Sequence, residues 1–420
     1  MQADKQAFLT SLFDAAIAAA DPERSLLEFM PEKPKGRTVV IGAGKGAAQL
    51  AGAFEENWDG PLEGVVVTRY GYAVPCQRIK VLEASHPLPD ASGIEAAAQL
   101  FQAVANLSED DLVVALICGG GSALLPAPPN GFELQDEIAL NEALLASGAP
   151  ISVMNSIRKH FSRIKGGRLA LAAAPAKVVT LVVSDVPGDV PAQVASGPTI
   201  PDCSTRADAL AAIERHALKL PDRMMRHFLS GEANAPAPDA PSFQGNEVHV
   251  IASAGRSLEA ASRVCEQHRI PAVILSDALE GEAREAGKFH AAIAKEVVSR
   301  SRPFARPVVL LSGGETTVTM RGSGKGGRNS EFLLSFAIEI DGTTDVHAIA
   351  ADTDGIDGSE DNAGAFADGA TISEIRRAGK DAAALLANND AWTAFSLSGG
   401  LFVPGPTGTN VNDFRAILIE

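Results

Sequence analysis

The sequence is poor in cysteine, aromatic residues and positive charge, and each shortage excludes something. Its four cysteines, Cys76, Cys118, Cys203 and Cys265, include no C-x-x-C pair, which argues against a zinc site or a dithiol redox motif. So few and so scattered, they do not make a disulfide scaffold, and they suit a reducing cytoplasm. The 36 Lys and Arg stand against 52 Asp and Glu, a net charge of −16. That is the opposite of the basic face a nucleic-acid binder presents. It leaves room for a nucleotide ligand, because a few lysines, backbone N–H groups and Mg²⁺ can hold phosphates in an acidic chain. No apolar run reaches membrane-spanning length. The apolar N-terminal stretch carries Asp14 and is followed by Asp21 and Glu23, so it reads as an amphipathic helix rather than a signal peptide. Also missing are the GxxxxGK(S/T) P-loop, the His-Arg-Asp and Asp-Phe-Gly motifs of protein kinases, and the GxSxG elbow.

What the chain does have is small apolar residues. The hydrophobic fraction is 46%, aromatics are only 5%, and there are 39 glycines. Runs of Val, Ile and Leu at 37–41, 64–68, 79–83, 111–118 and 177–184 read as buried strands. Helical periods separate them at 47–54, 93–105, 134–147 and 154–173, and 1–30 also reads as helical. Continuous apolar strands alternating with helices predict an α/β fold with a parallel sheet covered on both faces. The Pro- and Ala-rich segment 236–246 has no apolar period and is the best linker candidate. The expected organisation is therefore an N-terminal Rossmann-like parallel-sheet domain over 1–235, a linker over 236–246, and a C-terminal α/β domain over 247–420. After the linker, strands are expected at 248–253, 272–276, 307–312 and 347–351, and helices at 282–300 and 330–338.

The chemistry concentrates in loops that follow strands. Gly42-Ala43-Gly44-Lys45-Gly46 satisfies the dinucleotide fingerprint in letters. The second strand, however, ends in Thr68-Arg69, without the acidic residue that would hold a ribose. Lys45 adds an ammonium to a turn that already favours an anion. Cys118-Gly119-Gly120-Gly121-Ser122 lets the backbone approach a phosphate closely. Asp185 and Asp189 follow the next strand; either suits a proton acceptor, and the other a metal or supporting group. Asn155, Lys159 and Ser162 share a helical face in a locally basic stretch that runs on to Lys165 and Arg168, a candidate surface for a carboxylate or phosphate. Beyond the linker, Gly322-Ser-Gly-Lys-Gly-Gly-Arg328 repeats the form of the first glycine loop. Asp352-Thr-Asp354-Gly-Ile-Asp357 opens like a calcium loop, but it lacks a ligand and a glycine where an EF-hand needs them. Asp413 is a candidate partner for a nearby cation.

Taken in order, these motifs resemble the glycerate 2-kinases of the MOFRL type, the class II glycerate kinases. The resemblance runs from Gly42–Gly46 through Ala84-Ser85-His86-Pro87, Cys118–Ala123, Arg158-Lys-His160, Lys165–Leu169, Ser184–Asp189 and Ala195–Thr199. It continues in Ser312–Thr316, Gly324–Asn329, Ala351–Gly355 and Gly405–Asp413. One departure is Ser330, where the family usually has Gln. The resemblance implies a Rossmann-like domain, a MOFRL domain and an active site in the cleft between them. It implies an enzyme that uses ATP and Mg²⁺ to convert D-glycerate to 2-phosphoglycerate; the composition adds a cytoplasmic setting with no nucleic-acid or membrane partner, and a monomer or homodimer is expected. It implies Lys45 and Arg328 as catalytic cations, and Asp189 joins them as the proton acceptor. Gly42, Gly44, Gly46, Ser85, His86, Gly119, Gly120, Gly121, Ser122, Asn155, Lys159 and Lys165 are the expected nucleotide- and substrate-binding residues. Asp185 and Asp352 are the expected metal ligands. Similar sequences have been labelled hydroxypyruvate reductases, in tartrate or hydroxypyruvate utilisation, so an NAD(P)H-dependent reductase is the alternative, with Arg69 as a contact to a 2′-phosphate.

Overall fold

The computed structural model describes residues 1–420, the side chains of Pro22 and Pro187 excepted. The chain divides into two compact units, one over Pro22–Ile251 and one formed by Met1–Asp21 with Ala252–Glu420.

The unit over Pro22–Ile251 is built on a six-stranded sheet. Its strands are β1 (Thr38–Ala43), β2 (Glu63–Arg69), β3 (Ile79–Ala84), β4 (Leu112–Cys118), β5 (Lys177–Val183) and β6 (Glu247–Ala252). Their order is β3-β2-β1-β4-β5-β6, parallel from β3 to β5. β1 and β4 are buried along their whole length, as continuous apolar runs require when helices cover both faces. The order reverses direction between β1 and β4, and open α/β sheets bind ligands at the carboxyl ends of strands beside such a reversal. The helix expected over 154–173 is broken. It runs over Ile151–His160, and a second helix begins at Arg168, because Gly166 (φ +65°) and Gly167 (φ +83°) turn the chain into the left-handed region.

The second unit has strands β7 (Ala272–Glu282), β8 (Val308–Thr317), β9 (Val346–Asp352), β10 (Gly364–Asp368), β11 (Leu401–Phe402) and β12 (Asp413–Ile419), in the order β11-β10-β9-β12-β8-β7. Only the β7/β8 pair is parallel among the pairings described; β8/β12, β12/β9, β9/β10 and β10/β11 are antiparallel. The last strand of the chain thus lies in the middle of the sheet, which the alternation of strands and helices in the sequence did not disclose.

Two boundaries move. The helix Ala3–Ala19 belongs with the C-terminal unit, where Leu9, Leu12, Phe13 and Ala16 pack into its core and Phe13 meets the rings of Phe402 and Phe414 edge-on at 5.0 and 5.9 Å. The segment 236–246 is part of the unit before it rather than a linker. Phe243 packs against that core, and Asn246 Oδ1 accepts a hydrogen bond from Val178 N at 2.8 Å. The division falls between Ile251 and Ala252.

Candidate active site

Four loops converge at the carboxyl end of the parallel sheet. Gly44 (φ +137°) presses on the end of β4, where a Cβ would stand 2.5 Å from Cys118 O. Lys45 N donates to Gly119 O at 2.9 Å, and the Thr68 hydroxyl donates to Lys45 O at 3.1 Å. The glycine turn after β1 is therefore stitched to the end of β2 and to the loop after β4. Gly42 is glycine for packing, since a Cβ there would lie 2.7 Å from Leu116 O; at Gly46 the nearest atom would be 3.6 Å away, so nothing steric requires glycine there.

Gly120 lies beside Lys45, an expected catalytic cation, and His86, an expected binding residue. At φ +82°, a Cβ on it would stand 3.0 Å from Lys45 Cγ and 3.2 Å from His86 Nε2. Lys45, His86 and the triple-glycine loop thus share one small volume. Burial pushes His86 down to about 4, and Lys45 and Arg69 add to the effect, so the imidazole is neutral at ordinary pH. Ser85 N donates to Asp90 Oδ1 at 3.3 Å. On the other side, a Cβ on Gly119 would fall 1.8 Å from Asp185 Oδ2, and one on Gly121 would fall 2.6 Å from the Ala195 methyl. Ser122 Oγ and Ser196 Oγ are 2.8 Å apart. Ala195, Ser196 and Gly197 all have positive φ, a run that is costly for its two non-glycine members. Asp189 has φ +51° and, like Asp185, is half-buried.

The basic face expected around residues 155–165 is not a surface. Lys159 is fully buried and ion-paired with Asp202. Lys165 pairs with Glu137 at 2.5 Å, also out of solvent. Asn155 accepts from Ser196 Oγ at 3.1 Å and from Arg158 Nη1 at 3.0 Å, and donates to Gln193 O at 3.2 Å. Asn155 thus braces the strained 193–197 loop, while Lys159 and Lys165 are each held by a carboxylate.

In the other unit, Arg328 opens the helix Arg328–Glu339. Its Nε donates to Asp413 Oδ1 at 2.6 Å, its Nη2 to Asp352 Oδ2 at 2.6 Å and its Nη1 to Glu315 Oε1 at 3.3 Å. Asp352 and Asp413 are directly opposed residues of antiparallel β9 and β12, so their side chains share one face. Burial pushes Asp352 up to about 8; Arg328 opposes this, while Asp354 and Asp413 reinforce it. Asp357 accepts from Asn329 N and Ser330 N at 2.9 and 2.8 Å and also bonds the Ser330 hydroxyl. Asp357, one of three carboxylates after β9 whose placement suits a metal site or an acid–base group, instead caps the Arg328 helix, and Glu315 had no expected role. The glycines before Arg328, like Gly42 and Gly44, are set by close packing. A Cβ on Gly322 or Gly324 would meet Asn388 or Asp390, and one on Gly327 would meet Asp357, all within 2.4 Å. They allow loop to pack on loop, whereas Gly42 and Gly44 allow the first turn to pack on β4.

A family model described as a domain of unknown function (DUF4147) matches residues 8–229, and the MOFRL family model matches residues 308–413. A D-glycerate 2-kinase of Thermotoga maritima is 40% identical over 407 residues, covering 96% of this chain and 96% of its own length. The crystal structure of a glycerate kinase from the same organism is matched with a TM-score of 0.90 at 39% identity, over 99% of each chain. The chain belongs to the MOFRL-type glycerate kinase family. A relative from Agrobacterium vitis, 51% identical over 98% of this chain and 94% of its own length, provisionally bears the name hydroxypyruvate reductase. Within the family pattern, the Ser330 departure has a local account: its hydroxyl pairs with Asp357 at the start of the Arg328 helix.

Proposed function

We propose that this member of the glycerate kinase family transfers the γ-phosphoryl group of ATP to the 2-hydroxyl of D-glycerate, giving 2-phosphoglycerate and ADP. The observation that carries the reading is the likeness over nearly the whole chain to the Thermotoga maritima D-glycerate 2-kinase. The substrate oxygen forms a bond to γ-phosphorus as the bond to the β-phosphate oxygen breaks, and the hydroxyl proton passes to Asp189. Such a transfer needs positioned charge more than covalent help. Lys45 and Arg328 neutralise charge on the moving group. The loops at 42–46 and 119–122, with Ser85 and neutral His86, hold the anionic reactants.

Mg²⁺ supplies charge neutralisation on the nucleotide phosphates. Among the described residues no group of three or more His, Cys, Asp or Glu side chains is arranged to hold a metal. That suits an ion that arrives with its nucleotide, because Mg²⁺ in such sites commonly takes one or two carboxylates plus phosphate oxygens. Asp352, crowded by Asp354 and Asp413, and Asp185, against Gly119, are the carboxylates proposed to meet it. No helix among the described residues is long and apolar enough to cross a membrane; we propose a cytoplasmic monomer or homodimer. The reductase alternative lacks support at β2. The strand ends at Arg69, the Thr68 hydroxyl is committed to Lys45 O, and the Glu83 carboxylate beside that end, on β3, is taken up by Gly71 N at 2.7 Å and Ala73 N at 3.4 Å.

The test follows ADP release from Mg·ATP with and without D-glycerate, in the unsubstituted protein and in Lys45→Ala. Removing one transition-state cation is expected to lower turnover about a hundredfold or more. Near-normal turnover in Lys45→Ala would end the role given to that residue.

A further inference from the structure

Arg328 stands where a cation is disfavoured. It is the first residue of its helix, beside unpaired N–H groups and the positive end of the dipole. Buried carboxylates offset that cost. Asp357 takes the backbone N–H groups of Asn329 and Ser330. Asp413 takes the side chains, accepting from Arg328 Nε at 2.6 Å and from Asn329 Nδ2 at 2.8 Å. Asp413 also accepts from Thr316 N and Oγ1 at 3.1 and 3.2 Å, and it is ion-paired with Arg415. It begins β12, hydrogen-bonded on one side to β8 and on the other to β9, so its backbone is held from both sides.

Arg415 is what makes this arrangement more than a salt bridge. Two residues along the same strand, it lies on the same face as Asp413. It is fully buried, with its guanidinium over the Phe332 ring at 4.8 Å. Asp413 therefore lies between two arginines. Burial works against its charge, and Arg415 and Arg328 overcome this, holding its carboxyl below the ordinary range. A carboxylate with a second, permanent cation can stay ionised while Arg328 turns its terminal nitrogens towards an incoming anion. Asp352 and Glu315 bind those terminal nitrogens and would be the ones to yield.

We propose that Asp413 is a positioning residue for Arg328, clamping the Nε edge of the guanidinium while Arg415 balances the clamp's charge, so that the terminal nitrogens are presented to the phosphoryl group in one orientation. This rests on the role given to Arg328 in the proposed reaction. In the full-length protein, Asp413→Asn is expected to lower turnover about thirtyfold or more, with the KM for glycerate and for Mg·ATP each within about threefold, because misaligning a catalytic group costs rate rather than binding. Placed in an Arg328→Met background, the same substitution is expected to change turnover by less than about threefold, because residues acting through one another are not additive. Additive losses, or a loss confined to KM, would overturn the proposal. Should Asp413→Asn not fold, Asp413→Glu keeps the charge and moves the carboxylate by one methylene. A loss of about tenfold in turnover is then expected, and wild-type turnover in the folded variant would overturn the proposal. Should the unsubstituted protein show no glycerate-dependent ADP release, the kinase reading fails by itself, and ¹⁵N NMR of the arginine Nε–H groups still decides the clamp. The Arg328 signal should exchange slowly with solvent in the unsubstituted protein and fast in the Asp413 variants; equal exchange in both would refute it.

Discussion

Substituting Gly120 by alanine separates the cost of a backbone from the cost of displacing Lys45, the side chain proposed to act on the phosphoryl group. Gly120 has φ +82°, and its missing Cβ would stand 3.0 Å from Lys45 Cγ, 3.2 Å from Lys45 Cε and 3.2 Å from His86 Nε2. Gly131 is the matched control, with φ +80° in the same unit and nothing within 4 Å of the position its Cβ would take. Each Gly→Ala change forces an L-residue into the left-handed region, at about 1–2 kcal/mol, partly offset by the lower entropy of the unfolded chain. A net loss near 1 kcal/mol should lower the melting temperature of a unit this size by roughly 2–4 °C in both variants. Only at Gly120 does the new methyl meet Lys45. The contact is tight enough that Cγ must give by a few tenths of an ångström, and the movement grows along the remaining bonds to the ammonium. The added cost in stability is small because the side chain is flexible. The added cost in rate should be about tenfold or more, because catalysis depends on alignment at this scale. Thermal unfolding and steady-state ADP release on the two variants provide the comparison. Equal melting temperatures with equal, near-normal turnover would refute the assignment of Lys45 to the reacting centre.

Two further outcomes concern the framework. Glu137→Leu strands the buried Lys165 ammonium and should destabilise the protein by about 3–5 kcal/mol, while Glu137→Leu with Lys165→Met should recover most of it; urea unfolding that finds less than about 1 kcal/mol for the single change would show that the pair behaves as an exposed one. His290 accepts from Ser312 Oγ at 3.0 Å, donates to Ala286 O at 2.8 Å, and is pushed by burial down to about 4. Because its folded value lies below the unfolded 6.5, its contribution to stability is complete above pH 6.5 and is lost as pH falls towards 4. His290→Gln should therefore flatten the loss of stability between pH 6.5 and 4, and an unchanged acid limb would contradict that.

Five strands of the first sheet were legible because their signal is local; the sixth, β6, was expected in the domain over 247–420. β1 and β4 are unbroken apolar runs, each closed by a glycine turn, and a strand buried on both faces needs nothing else. β12 was not legible. Asp413 and Arg415 interrupt its apolar residues, and they are tolerated inside the sheet only because Arg328, Thr316 and Asn329 come from elsewhere to meet them. The N-terminal helix showed its apolar face but not its destination, since nothing local says that Phe13 will meet Phe402. Lys159 and Lys165 read as a solvated basic face because their partners, Asp202 and Glu137, are distant in sequence. Lys45 and Arg328 were found through motif order, and the structure adds what surrounds them: His86 and Gly120 at one, three carboxylates at the other.

The most direct test of the account is a pair of assays on the purified protein. One supplies D-glycerate with Mg·ATP, follows ADP release and identifies the phosphorylated product by ³¹P NMR. The other supplies hydroxypyruvate with NADH or NADPH and follows absorbance. The account predicts glycerate-dependent ADP release, 2-phosphoglycerate as the product and no oxidation of the nicotinamide. Nicotinamide oxidation without ADP release would contradict it, and would mean that the glycine turn carrying Lys45 holds a dinucleotide.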